Sequence, residues 1–297
     1  MNRKKSILNI TKERIILFDG ANGSQLIKLG LPKGTCPELW NLEKPEIVKN
    51  IHRSYFDAGS DAVLTNTFGG NRLKLSQYGL EEKVFEINFK AAQLACEVKP
   101  DNKYVGGDIG PTGKFLEPYG PYKTKEFEEI FYEQIAALIK GSVDFIMIET
   151  MYDLKEAICA LRGAKKAGNL PVFVSLTFNK TKKGFFTLMG NTVEEVIEKL
   201  EKEGADGVGA NCTLNSEEMI PLAEKIRKYT DLPVVIQANA GQPVIDAEGN
   251  INYEQTVDDY VKYIPEIIKR GVNIIGGCCG TDPQYIEKIS QIIKHLK

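Results

Sequence analysis

Eight short apolar runs, each bounded by turn residues and each followed by a stretch with helical periodicity, recur along the whole chain. They read "IILFDG", "AVLTNTF", "YVGGDIG", "FIMIET", "PVFVSLTF", "GVGANC", "PVVIQANAG" and "NIIGGCCG". Runs this apolar suit strands buried on both faces, which is the condition of a parallel sheet covered by helices. Between them, "TVEEVIEKLEKEG" places Val193, Val196, Ile197 and Leu200 on one helical face, and "EFEEIFYEQIAALIKG" does the same with Phe127, Ile130, Phe131, Ile135 and Leu138. Eight such units in 297 residues predict an α/β chain folded as a (β/α)₈ TIM barrel. No Pro/Ser-rich linker or charge block interrupts them, so residues 1–297 are read as one domain.

A weak internal repeat locates the functional face. "GSDAVLTNT", "GSVDFIMIET", "GADGVGANC" and "GVNIIGGCC" align on Asp61, Asp144, Asp206 and Asn273. Five residues further on stand Asn66, Glu149, Asn211 and Cys278, at one depth on strands two, four, six and eight. That depth is the C-terminal end of the strands, where barrel enzymes build their sites, whereas the aligned Asp and Asn fall at the opposite, structural end.

Charge excludes some partners. With 38 Lys and Arg against 40 Asp and Glu, nothing suggests nucleic acid or an anionic membrane. The basic start "MNRKK" is followed by an apolar run that Thr11, Lys12, Glu13 and Arg14 break, and no other segment has the length of a membrane span. A cytoplasmic protein with reduced thiols is the expectation.

Three of the 6 cysteines fall at the strand ends: Cys212 after strand six, Cys278 and Cys279 after strand eight. Three thiolates with an open fourth position suit a catalytic zinc. Spacing alone leaves two alternatives open, buried strand cysteines brought together by coincidence and a vicinal disulfide between Cys278 and Cys279. Cys36, Cys96 and Cys159 read as small apolar fillers. Asp19 ends the first run and Glu149 the fourth, so a cationic amino group could lie between them; the alternative for Asp19 is a helix cap. Asp108 precedes a Gly/Pro turn and is read as shaping it. The two histidines, His52 and His295, both lie in helical patterns, which removes a Ser/His triad and a histidine zinc site. A phosphate at the strand-eight loop is conceivable in a barrel, but no strand ends in the Lys that an aldolase would need.

"FDGANGSQL", "TNTFGGNRLKL", "GDIGPTG", "IETM", "GANC", "QANAGQP" and "GGCCGT" together resemble the homocysteine S-methyltransferase family, and within it the homocysteine-binding module of cobalamin-dependent methionine synthases. The motifs run from Asp19 to Thr281. The resemblance implies a zinc-bearing barrel that transfers a methyl group to homocysteine, giving methionine. It makes Cys212, Cys278 and Cys279 the zinc ligands, Asp19 and Glu149 the residues holding the substrate amino group, and Asn239 a fourth ligand when substrate is absent. "QANAGQP" looks like the cobalamin-dependent branch, which implies methylcobalamin on a partner corrinoid protein or module as donor. S-methylmethionine or betaine are the alternative donors, and a non-catalytic zinc and homocysteine-binding subunit is the alternative of another kind.

Overall fold

The computed structural model describes residues 5–245 and 251–296; the basic start Met1–Lys4 lies outside them. Eight parallel strands stand where the eight apolar runs predict: β1 (Ile16–Leu17), β2 (Ala62–Leu64), β3 (Tyr104–Ile109), β4 (Phe145–Met151), β5 (Val172–Leu176), β6 (Gly207–Asn215), β7 (Val234–Asn239) and β8 (Ile274–Gly277). Ladders connect β2 through β8 in chain order, and β8 pairs with β1. The sheet is thus an almost closed barrel. Two antiparallel hairpins, Asn179–Thr181 with Gly184–Phe186 and Pro243–Ile245 with Ile251–Tyr253, are inserted after β5 and β7.

Helices cover the outside. Thr124–Lys140 buries Phe127, Phe131, Ile135 and Leu138, and Val193–Lys202 buries Val193, Val196, Ile197 and Leu200, as their periodicities predict. The latter opens on a capping box between Thr192 and Glu195, which satisfies two of its orphan backbone donors.

The interior is filled by Ile16, Phe18, Leu64, Phe145, Met147, Phe173, Val235 and Ile274. Phe145 stacks on Phe18 at 5.3 Å and meets Phe173 edge-on at 5.5 Å. A side chain on Gly106 would collide with the Phe145 ring, so the glycine of "YVGGD" makes room for it. The short helix Ile7–Ile10 adds Ile7 to this cluster, closing the end opposite the site.

The internal repeat has a physical basis. Asp61, Asp144 and Asp206 each accept the backbone N–H of the preceding strand, from Leu17 at 3.1 Å, Val105 at 2.8 Å and Val172 at 2.9 Å; Asn273 takes that of Val234 at 3.0 Å. Each also donates its own N–H to the carbonyl of that same residue, over 2.7–3.0 Å. Four equivalent clamps thus fix strand pairs 1–2, 3–4, 5–6 and 7–8 at the structural end. Equal spacing along the chain from these clamps then brings the residues five positions on to a common depth.

Candidate functional site

Two strand ends depart from regular geometry where chemistry is expected. The β4–β5 register shifts between Ile148 and Met151, and the β6–β7 register shifts between Asn211 and Asn215. Within these bulges Thr150 has φ 59°, Cys212 φ 60° and Thr213 φ 56°. Left-handed conformations cost a non-glycine residue about 1–2 kcal/mol each, so these turns persist only because their surroundings hold them. Their effect is to re-aim Glu149 and Cys212 from the strand towards the barrel mouth.

Beyond β8 the chain stays tied to β7: the Cys278 N–H reaches the Ala238 carbonyl at 2.8 Å and the Ala240 N–H reaches the Cys279 carbonyl at 2.9 Å. The turn is closed by Thr281, whose hydroxyl donates to the Cys278 carbonyl at 2.7 Å. Gly280, with φ 82°, makes the bend, whereas Gly276 and Gly277 continue the strand. A Cβ on Gly277 would strike Thr281, so that glycine admits a neighbouring side chain more than it bends the loop.

The result is a cluster of three thiols. The sulfurs of Cys212, Cys278 and Cys279 lie within 4.8 Å of one another, and all six cysteines are free, which sets aside the vicinal disulfide. Zn–S bonds of ~2.3 Å imply an S–S edge of about 3.8 Å in a tetrahedron, so the donor set and its spacing fit zinc. Hydrogen bonds from Cys278 and Cys279 push the Cys212 thiol down to about 3. The same bonds raise the other two, Cys279 to about 12. Asn239 is buried and hydrogen-bonds the Cys212 sulfur, while its Oδ1 has no partner.

The cluster opens into a cavity of about 240 Å³, whose lining includes Glu38, Asn66, Asp108, Glu149, Thr150, Cys212, Cys278 and Cys279. No Lys, Arg or His lines it among the described residues. Burial raises the Glu149 carboxyl to about 8, with the Cys212 charge adding to it. Asp108 is raised by burial and then by the charges of Glu149, Asp19 and Glu38. Asp19 lies just beneath the lining and is raised by burial and by Glu149. Its Oδ2 accepts the Leu64 N–H at 2.9 Å, while its Oδ1, like that of Asp108, has no partner. Burial and mutual repulsion thus disfavour ionisation of these acids, and no cationic side chain in the described lining offsets them.

Several readings change with these contacts. The helix Asn22–Lys28 has Ala21 at its N-cap and no side-chain cap, so Asp19 is no helix cap. Asp108 belongs to the carboxylate set, beyond the turn-shaping part read from the sequence. Asn66 lines the cavity and donates to the Pro37 carbonyl and to Asn41. Cys36 is more than filler, since its thiol donates to Glu38 at 3.2 Å, and Glu38 in turn accepts the Gly69 N–H. Glu38 escaped sequence reasoning because "TCPELW" lies in a connection before β2 and matches no strand end. His52 is buried with neither ring nitrogen partnered, and burial lowers it to about 4; His295 is exposed near the C-terminus.

The barrel thus carries three converging thiols, a donor set that fits a metal ion, beside a group of buried acids with no cationic side chain in the described lining. The family model "Homocysteine S-methyltransferase" matches residues 16–293, and the chain belongs to that family. Among curated proteins, methionine synthase of Mycobacterium tuberculosis (strain ATCC 25618 / H37Rv) is 30% identical over 98% of this chain, and that of Mycobacterium leprae (strain TN) 30% identical over 97%. The chain spans only 26% and 25% of those two proteins. Among solved structures, the metallated form of the homocysteine methyltransferase MmuM from Escherichia coli has a TM-score of 0.77 at 22% identity, covering 96% of this chain and 98% of MmuM, a likeness of fold.

Proposed function

We propose that this chain binds zinc through Cys212, Cys278 and Cys279 and methylates the thiol of homocysteine, giving methionine. The observation that carries the reading is one cavity lined by the three clustered sulfurs and by the acids Glu149, Asp108 and Glu38, with no cationic side chain among the described lining residues. An amino thiol has the complementary ends. Its ammonium would lie against Asp19 and Glu149, with Asp108 beside them, and would supply the positive charge the carboxylates lack. Its sulfur would reach the cysteine cluster.

Zinc at three thiolates would hold the substrate sulfur deprotonated near neutral pH, below the ordinary thiol pKa of about 8.5. Asn239, whose Oδ1 has no partner, would complete the ligand set when substrate is absent. With its proton released to solvent, the held sulfur would attack the donor methyl carbon in line. The S–C bond forms as the bond from methyl to donor breaks, and that electron pair leaves with the donor.

For the donor we favour a methylated corrinoid carried by a partner protein or module, because "QANAGQP", which contains Asn239, looks like the cobalamin-dependent branch of the family. Turnover would take place in a reducing cytoplasm, where thiol ligands survive. Assaying the zinc-loaded chain with methylcobalamin, S-methylmethionine and betaine in parallel tests this. Methionine formed with methylcobalamin supports the donor, and efficient turnover with either small donor alone overturns it. Tight zinc and homocysteine binding without turnover on any of the three would make the chain a substrate-holding subunit.

A further inference from the structure

Asn211, fully buried in β6 just before its register shift, uses both ends of its amide. Its Oδ1 accepts the Thr150 backbone N–H at 2.8 Å and the Ser175 hydroxyl at 2.5 Å. Its Nδ2 donates to the Thr150 hydroxyl at 2.6 Å and to the Cys278 sulfur at 3.8 Å. With two donors and an acceptor oxygen, an asparagine is thereby saturated. The two Thr150 bonds clamp backbone and side chain of one residue, and that residue holds the left-handed turn beside Glu149. One side chain thus grips the turn that aims the carboxylate and one of the three sulfurs. Through the peptide bond to Cys212 it adjoins a second.

We propose that Asn211 is a positioning residue that sets the separation between the amine-holding carboxylate and the sulfur cluster, and so selects the length of the amino thiol. This rests on the homocysteine reading above. A substrate held by ammonium at one end and sulfur at the other is measured by that separation. Cysteine, one methylene shorter, cannot satisfy both ends together. A difference of one methylene is worth about 10–200-fold in a well-fitted site, so the span is the means of discrimination. Thr150 is the half of the clamp that concerns only the amine end.

The test measures L-homocysteine and L-cysteine binding to the zinc-loaded chain by calorimetry, and zinc affinity by chelator competition. Asn211→Asp keeps an acceptor for Thr150 and Ser175 but loses both donors; Asn211→Ala removes all four bonds and guards against an effect of the added charge. Both are expected to weaken zinc and homocysteine binding by about 10-fold and to narrow the preference for homocysteine over cysteine. Thr150→Ala is expected to narrow the preference with zinc affinity unchanged, and Thr150→Ser to restore it. Variants that bind as the wild type does, or that lose both amino thiols equally with the preference intact, overturn the inference. A wild-type chain that binds zinc but neither amino thiol overturns the substrate reading and this inference with it. Wild-type binding with an unchanged preference in the variants overturns this inference alone.

Discussion

The Asp19 carboxylate accepts the Leu64 backbone N–H at 2.9 Å, bridging β1 and β2, the neighbouring barrel strands that share no ladder among the described residues. Asp61 clamps the other end of the same seam through Leu17, and the Asn22 amide donates to the Leu64 carbonyl at 3.0 Å. The residue proposed to hold the substrate amine is therefore also part of the barrel closure.

These two duties separate under substitution. Asp19→Asn keeps an oxygen for the Leu64 N–H and removes an acid whose ionisation burial disfavours, so the ligand-free protein should be as stable as the wild type or more so. Its affinity for homocysteine should fall by about 10–100-fold with the loss of a charged hydrogen bond. Asp19→Ala strands a buried N–H and should lose about 1–3 kcal/mol of stability as well. Urea denaturation beside calorimetric titration reads both effects; equal stability losses in the two variants would contradict the seam bond.

Glu156 gives a pH dependence remote from the thiols. It is fully buried, and its Oε1 accepts both the backbone N–H and the hydroxyl of Thr112 at 2.7 Å, fastening the loop after β3. Burial raises it from 4.5 to about 7. Between those values the folded protein keeps a proton that the unfolded chain has released, so stability falls as pH rises through that window and levels off above it. The fall attributable to this group is at most about 3 kcal/mol. Glu156→Gln should flatten that segment of the stability–pH curve, and an unchanged slope in the variant would refute the assignment.

Gly280 concerns the metal site itself. A side chain there would overlap the Tyr253 ring and sit at φ 82°. Gly280→Ala should displace Cys279, cost about 1–2 kcal/mol for the left-handed backbone alone, and weaken zinc binding. Adding Tyr253→Ala relieves the overlap but not the backbone cost, so the double variant should recover only part of the zinc affinity. Full recovery would assign the whole defect to the ring.

Much of this was legible in the sequence because periodicity is a local property. Eight apolar runs and their helices needed no tertiary information, and the clamps at Asp61, Asp144, Asp206 and Asn273 explain why a repeat aligned on them located the strand ends. Cys212 and the Cys278–Cys279 pair followed from that depth. Asp108 was undervalued because the Gly/Pro turn after it offered a sufficient local explanation, while its neighbours Glu149, Asp19 and Glu38 come from three other segments. Glu38 lies on no strand, so no alignment of strand ends could reach it. The left-handed turns at Thr150 and Cys212 were invisible because neither residue is a glycine or asparagine; tertiary bonds such as those of Asn211 impose them.

The central claim is that three cysteines hold one zinc on which homocysteine binding depends. Metal content and homocysteine affinity of the wild type and Cys212→Ser, measured on the same preparations, test it most directly. The account predicts one zinc per chain in the wild type, with metal and homocysteine binding both lost in the variant. Full-affinity homocysteine binding by metal-free wild-type protein would contradict it.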